Sequence, residues 1–453
     1  MLLSAHNFYH YDTDMKDLAK HYPAHITELQ QRTNTILERE NLNALAIHAG
    51  QVGKIFLDDM YYPFKTNPHF KAWLPVTETP NCWLIVNGKD KPVLAFYQPT
   101  DFWHKVVKLE EDYWTSFFDI KLMSSAEEIA AILPDNKQGM GYIGAHQDVA
   151  NKLGFELVNP EAVLNYFHYH RAYKTEYDLV CLREANRIAV IGHNAAKEAF
   201  FAKGSEFDIQ LAYLQATGQG ENEMPYGNII ALNENAAILH YTVLEQTKPK
   251  QHHSFLIDAG ANFNGYASDI TRTYAFEQNE FHELIIAMNE MQLELGQSLK
   301  ANTSYVELHI SNHYKLAALL KRFELVNLEP EAMVANGITS AFYPHGLGHH
   351  LGLQVHDMGG FMADESGTHV AAPKEYPFLR TTRGIESKQV FTIEPGLYFI
   401  DEFLQNLSTS ENAKYINWDK VDRLRKYGGI RIEDNIIVHD DHVENMTRDF
   451  KLA

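Results

Sequence analysis

Residues 345–357 read HGLGHHLGLQVHD, with Gly346, Gly348 and Gly352 threaded among four histidines. Histidines four residues apart suggest a helix-borne zinc motif, but the glutamate of HExxH is missing. Glycines at this density favour a turn that lets backbone approach a ligand closely. His349 is the candidate metal ligand of the stretch, His345 and His356 flank it, and His350 reads as structural. Outward along the chain, four acids occupy comparably unusual contexts: Asp258 in LIDAG (256–260), Asp269 in SDITRT (268–273), Glu394 in TIEPG (392–396) and Glu433 in GIRIED (429–434).

An acid taken at random from the 59 Asp and Glu is a solvated surface group. These four sit inside or at the end of β-branched, apolar stretches, where an unpaired carboxylate is costly and a metal removes the cost. Four carboxylates and one imidazole suit divalent ions that accept oxygen donors and tolerate one nitrogen: Mn(II), Co(II), Fe(II) or Zn(II). One ion would be over-neutralised by four negative charges, whereas two ions sharing a hydroxide come close to balance, so a pair is expected. Local patterning aims the side chains inward. SFLIDAG reads as a strand with Leu256 and Asp258 on one face and Phe255 and Ile257 on the other. GIRIED repeats this with Arg431 and Glu433 against Ile430 and Ile432, and Asp269 and Thr271 pair likewise.

With 453 residues, 45% of them hydrophobic and 12% aromatic, the chain can bury a large core in two or three domains. The charge balance, 39 basic against 59 acidic residues for a net of −20, repels phosphate backbones and anionic membranes, so neither nucleic acid nor membrane is an expected partner. Only Cys82 and Cys181 are present, which excludes a disulfide framework and a thiolate zinc cluster and fits a reducing cytoplasm. The opening MLLSAHNFYHYDTDMKD has neither a basic n-region nor an apolar h-region, and no uncharged apolar run approaches ~20 residues.

Residues 24–41 place Ile26, Leu29, Thr33, Ile36 and Leu37 at helical spacing before a buried strand, LNALAIHAG. CWLIV and VLAFY follow as strands around an Asn87-Gly88 turn. Near 166–174 the texture changes: Thr175 can cap a long helix to about Lys203, with Gly204 as its stop. Further helices are expected over 205–217, 280–300 and 305–324, interleaved with strands in an α/β or α+β order. Two stretches, 361–388 and 403–425, read as lids, binding loops or insertions. The first carries Leu379, Arg380 and Arg383 and is expected to close over substrate.

In order, LIDAG with DITRT, HGLGHHLGLQVHD, TIEPG and GIRIED resemble the metallopeptidases of the pita-bread fold, the group of aminopeptidase P, methionine aminopeptidase and prolidase, over roughly 175–445. FLRTTR (378–383) ahead of TIEPGLYFI, with a two-domain layout, is most similar to prolidase, the Xaa-Pro dipeptidase. DDMYYPF (58–64), HYHRAYKT (168–175) and YGNIIALNENAAILHYT (226–242) are similar to the bacterial prolidases known as organophosphorus acid anhydrolases. The first ~15 residues read as an extension outside the resemblance.

The resemblance implies an N-terminal α/β domain over 1–170, serving dimerisation and an active-site edge, and a pita-bread catalytic domain over 171–453. It implies a homodimer acting on dipeptides, with two divalent ions per subunit, Mn(II) the expected metal. Asp258 would chelate one ion, Asp269 and Glu433 would bridge both, and His349 and Glu394 would complete the other. Glu394 would also carry a proton from the attacking water to the leaving amine. His356 would donate to the oxyanion, His345 would contact substrate and His240 would line the leaving-proline side. A dipeptidase must hold a free carboxylate, for which an Arg fork is suited; Arg380 resembles the residue with that duty, and Arg431 either competes for it or neutralises the metal carboxylates. Tyr226, Tyr305 and Leu379 would wall an apolar pocket for the proline ring, and Asp59 would reach a neighbouring subunit's site to meet the substrate amine. The same chemistry on tetrahedral phosphorus implies promiscuous hydrolysis of phosphotriesters and P–F compounds. Two other readings are an aminopeptidase P acting on longer Xaa-Pro peptides, and a non-catalytic pita-bread binding module. The latter needs a degraded ligand set, and here all five positions are filled.

Overall fold

The computed structural model describes residues 5–452, with side chains from Lys16 onward, so the extension expected over the first ~15 residues lies outside the described residues except for backbone from Ala5. Two compact units divide the chain. One comprises Met1–Glu184, Phe263–Tyr266 and Asp364–Thr368, and the other Ala185–Asn262, Ala267–Ala363 and His369–Ala453.

In the first unit six strands lie in the order Asp119–Met123, Val93–Tyr97, Trp83–Val86, Ala44–His48, Met140–Ile143, Leu157–Val158. The strands read from CWLIV and VLAFY pair antiparallel, Leu84 opposite Leu94. Their turn needs Gly88, whose φ is 74° and whose added Cβ would fall 2.4 Å from the Asn34 backbone nitrogen. Ala44–His48 sits centrally, antiparallel to Trp83–Val86 and parallel to Met140–Ile143. Burial on both faces explains its continuous apolar run. The helix expected to start at residue 24 instead spans Ala5–Arg39 with Pro23 inside it. Leu18, Tyr22 and Ile26 continue one buried stripe across the proline, and that packing outweighs the lost hydrogen bond.

The second unit interleaves helices with short antiparallel sheets. Helix Glu176–Phe201 begins in the first unit and passes into the second at Ala185; it opens on a reciprocal cap in which Thr175 N–H donates to Asp178 and Asp178 N–H donates to Thr175 Oγ1. At its end the left-handed residue is Lys203, φ 61°, while Gly204 N–H donates to Ala199 O. Helix Glu206–Thr217 has a capping box between Ser205 and Asp208 and stops at left-handed Gly218. Helices Glu280–Ser298 and Tyr305–Arg322 are capped by Asn279 and Ser304 and bury their apolar faces in the large core.

Three sheets position the acids. Ile229–Leu232, Ser254–Asp258 and Thr271–Ala275 form one, with Ser254–Asp258 central. Val390–Ile393, Asp434–Val438 and Val443–Asn445 form another, and Gly396–Tyr398 pairs with Gly429–Arg431 in the third. GIRIED is therefore not one strand: its two halves pair with the two halves of TIEPGLY, and Ile432 and Glu433 lie at the switch.

Of the two stretches expected as loops, the structure corrects the second. Residues 403–425 are largely helical, with Asp401–Ser408, a 3-10 turn at Glu411–Tyr415 and Trp418–Leu424 burying Leu404, Leu407, Ile416, Val421 and Leu424 in the core. Residues 361–388 are irregular but pinned. Thr382 and Arg383 N–H groups donate to Gly360 O, Thr382 Oγ1 donates to Val370 O, and Arg383 is buried in an ion pair with Glu386. Those bonds anchor the segment that carries Leu379 and Arg380.

Candidate metal centre

Glycines set the backbone approach that builds the site. A Cβ on Gly260 of LIDAG would fall 1.9 Å from Ser268 O, and one on Gly348 would fall 2.1 Å from Thr392 O. No other residue permits these contacts. Antiparallel register puts Thr271 opposite Asp258, and an isolated bridge joins Thr271 to Glu433. The histidine-rich stretch runs along TIEPG, where Glu394 N–H donates to Leu347 O, Thr392 N–H to His349 O and His349 N–H to Thr392 Oγ1. Asn435 holds Asp269 by its backbone, accepting from the N–H and donating to the carbonyl.

The side chains converge. Asp269, His349 and Glu433 each offer a ligand atom, all within 4.8 Å of one another. His349 Nε2 lies 3.4 Å from Asp269 Oδ2 and 3.8 Å from Glu394 Oε1. The Tyr226 hydroxyl is 2.8 Å from Asp258 Oδ1 and 2.6 Å from Asp269 Oδ1, tying the fifth residue in. His349 Nδ1–H donates to His350 O at 3.0 Å, which leaves Nε2 as the free donor atom. Thr271 Oγ1 donates to Glu433 Oε2 at 2.7 Å, but buried Glu433 Oε1 has no partner among the described residues. An orphaned carboxylate oxygen amid three other acids fits a bound cation.

Electrostatics say the same. Burial, followed by the charges of Asp269, Glu394 and Asp258, pushes Glu433 well above the usual carboxylate range. Burial lifts Glu394 to about 7 and also raises Asp258, partly offset by Arg431. For Asp269 the upward push of burial is outweighed by the hydrogen bond and charge of His349, so its pKa falls below the ordinary value. Buried Arg431 offsets part of this acidity from within: Nη2 donates to Asp258 Oδ2 at 2.7 Å, Nη1 to the Tyr398 hydroxyl at 3.0 Å and Nε to Thr271 Oγ1 at 3.2 Å. A guanidinium so committed fits the second of the two roles expected for Arg431, neutralising the cluster's carboxylates.

Of the other expected residues, His345 adjoins the cluster, Nδ1 3.7 Å from Glu394 Oε2 and Nε2 2.8 Å from the Tyr398 hydroxyl. His356 packs edge-on to His349 with centroids 4.5 Å apart. Burial and then the neighbouring His349 hold His356 at about 4, so it is a neutral donor near pH 7. His240 and Arg380 are exposed, and both lie close enough to His356 to depress it further. The apolar proline pocket does not form as expected. Tyr226 points its hydroxyl at the acids, and Tyr305 is fully buried, stacked on Phe391 and donating to Thr392 O at 3.0 Å. Leu379 is also buried, yet it lines a cavity beside His345. Asp59 belongs to the first unit and is exposed beside Asp58, which accepts from its N–H. Tyr398 and Asn435 were not anticipated. Period two in TIEPGLY, which puts Glu394, Gly396 and Tyr398 on one side, is the signal that finds Tyr398.

Comparisons with known proteins agree with this geometry. Residues 20–169 match the Xaa-Pro dipeptidase N-terminal domain and residues 180–440 match metallopeptidase family M24. An Xaa-Pro dipeptidase of Pseudoalteromonas translucida (strain TAC 125) is 62% identical, covering 97% of this chain and 100% of its own length. Another, from Shewanella woodyi (strain ATCC 51908 / MS32), is 60% identical over 96% and 99%. Among solved structures, zinc-substituted E. coli aminopeptidase P in complex with product superposes with a TM-score of 0.72 at 22% identity, covering 96% of each chain, which shows the shared pita-bread fold. With both domains matched and near-full-length relatives of this identity, the chain belongs to metallopeptidase family M24 and, within it, to the Xaa-Pro dipeptidases.

Proposed function

We propose that the enzyme hydrolyses Xaa-Pro dipeptides with two divalent ions, Mn(II) foremost, held by Asp258, Asp269, His349, Glu394 and Glu433. The observation that carries this reading is the buried Glu433 Oε1, without a partner among the described residues, in a cluster of four acids and one imidazole whose Nε2 faces Asp269 and Glu394. Such ions polarise a carbonyl and bring the pKa of water toward neutrality. The chain's own groups do the rest. The nitrogen of an Xaa-Pro bond carries no hydrogen, so the leaving amine must collect a proton. Glu394, buried beside His349 and His345, would take one from the attacking water and pass it on. His356 donates to the developing oxyanion, and His345, held by Tyr398, orients the substrate. Exposed Arg380 supplies the fork for the terminal carboxylate, His240 lines the same side, and Leu379 offers an apolar wall.

A homodimer is part of the proposal. Phe56, Leu57, Phe102 and Trp103 of the first unit are 79–91% exposed, an apolar area suited to a second copy, and Asp59 lies in the same stretch, placed to meet the substrate amine of a partner. Free, buried Cys82 and Cys181 support a cytoplasmic setting, and among the described residues no helix is long and apolar enough to cross a membrane. Slow hydrolysis of P–F and phosphotriester bonds is proposed as a side activity, and no rate above a metal-free control on a fluorophosphate with Mn(II) removes it.

The test is metal analysis together with a length-matched substrate series. Two equivalents per chain and turnover of Leu-Pro and Gly-Pro exceeding that of Xaa-Pro-Xaa are expected. Preference for the tripeptides makes the enzyme an aminopeptidase P, and no bound metal after reconstitution makes the chain a binding module.

A further inference from the structure

Helix Tyr305–Arg322 carries His309 and His313 on one face, one turn apart. Both are only 1% exposed, and both line a cavity of about 140 Å³ bounded also by Tyr343, His345, Tyr376 and Leu379. Neither nitrogen of His309 has a hydrogen-bond partner among the described residues, and neither has Nε2 of His313. Buried polar atoms left open in this way point to something that fills the cavity. His313 Nδ1 shares a 2.9 Å hydrogen bond with Thr339 Oγ1, which occupies that nitrogen and leaves Nε2 as the one open toward the cavity. The rings stand nearly perpendicular, 82°, with centroids 4.8 Å apart. Two imidazoles sharing one ion at Zn–N distances of about 2.1 Å place their centroids roughly 5 Å apart, so the pair is already close to chelating geometry.

We infer that His309 and His313 form an auxiliary site for a single borderline transition cation, of the Zn(II), Ni(II) or Cu(II) class, separate from the carboxylate cluster. Two imidazoles, with exposed Glu375 the one carboxylate in the cavity lining, favour such ions over Mg(II) or Mn(II). Burial keeps both imidazoles neutral, at about 3 for His309 and about 4 for His313, so the ion does not compete with protons near pH 7. The cavity has room for an ion with a few waters to complete its shell. His345 and Leu379 share its wall, so an occupant would sit against the substrate side of the active site.

The experiment is equilibrium dialysis of full-length enzyme against graded free Zn(II), with zinc counted by atomic emission, for wild type, His309→Gln and His313→Gln. Wild type is expected to bind one equivalent more than either variant, with at least tenfold weaker uptake of that equivalent in both. Circular dichroism and retained Mn(II)-supported turnover identify folded variants, and His309→Asn replaces any that does not fold. Equal zinc stoichiometry in wild type and folded variants overturns the site, whatever the dipeptidase assays give.

Discussion

The Tyr226 hydroxyl has one proton and sits within hydrogen-bond reach of both Asp258 and Asp269. It orients two of the five proposed ligands at once, as an outer-shell partner does. Tyr226→Phe is expected to weaken divalent-ion affinity about tenfold with little change in stability; calorimetric metal titration checks it, and wild-type affinity would reduce the tyrosine to packing. Glu394→Gln should abolish turnover while leaving metal partly bound, since Gln keeps an oxygen donor but cannot relay a proton. Retained activity would move the proton carrier elsewhere. Arg380 and Arg431 separate just as cleanly. Arg380→Ala should raise KM for dipeptides far more than for neutral esters, because Arg380 is exposed and Arg431 is already spent on Asp258, Tyr398 and Thr271. Equal loss on both substrates would place the carboxylate clamp on another residue.

At the level of elements, the acids were legible because each lies in or beside a short strand whose apolar run is visible in the sequence: Asp258 ends one, Asp269 precedes Thr271–Ala275, Glu394 follows Val390–Ile393 and Glu433 precedes Asp434–Val438. Ser254–Asp258 forms as read, with Asp258 at its end. GIRIED shows the limit: period two places Arg431 and Glu433 on one face, but nothing local announces that the ladder changes partner at Ile432. Residues 403–425 misled because helix caps there are Asn and Ser, residues equally at home in loops, while the burial of Val421 and Leu424 is decided by distant packing. Tyr305 misled likewise: its aromatic ring carries no mark that separates a pocket wall from core. The segment bearing His240 was legible as a motif but not as an anchored element. Its anchor is Glu206, a buried carboxylate accepting from Leu232 N–H, Asn235 Nδ2, the Tyr241 hydroxyl and Glu245 N–H at 2.6–2.9 Å. Glu206→Ala would strand those donors, for a loss on the order of 3 kcal/mol in urea unfolding. Faster amide exchange across 233–245 should accompany it, and unchanged stability would show that water replaces the carboxylate.

Across the whole molecule, proton uptake links stability to pH through histidines buried neutral in both units. Burial, then neighbouring His146, holds His48 at about 3, and burial holds His193 at about 3. His309 and His313 stay at about 3 and about 4 for the same leading reason. In the unfolded chain each titrates near 6.5, so between about 6.5 and the folded value the unfolded state binds more protons. Stability is therefore full above about pH 6.5 and falls as pH drops, each histidine contributing up to about 1.4 kcal/mol per pH unit. Metal loss in acid would lower Tm as well, so the decisive comparison uses His48, which stacks on Trp83 in the first unit and is none of the proposed ligands. Substituting His48→Gln removes one titrating group, and the fall in Tm between pH 7 and pH 5 should shrink relative to wild type even if the starting Tm is lower. An identical fall in both proteins would mean that His48 is protonated alike in folded and unfolded chains, and would leave acid sensitivity to His193, His309, His313 and the carboxylate cluster.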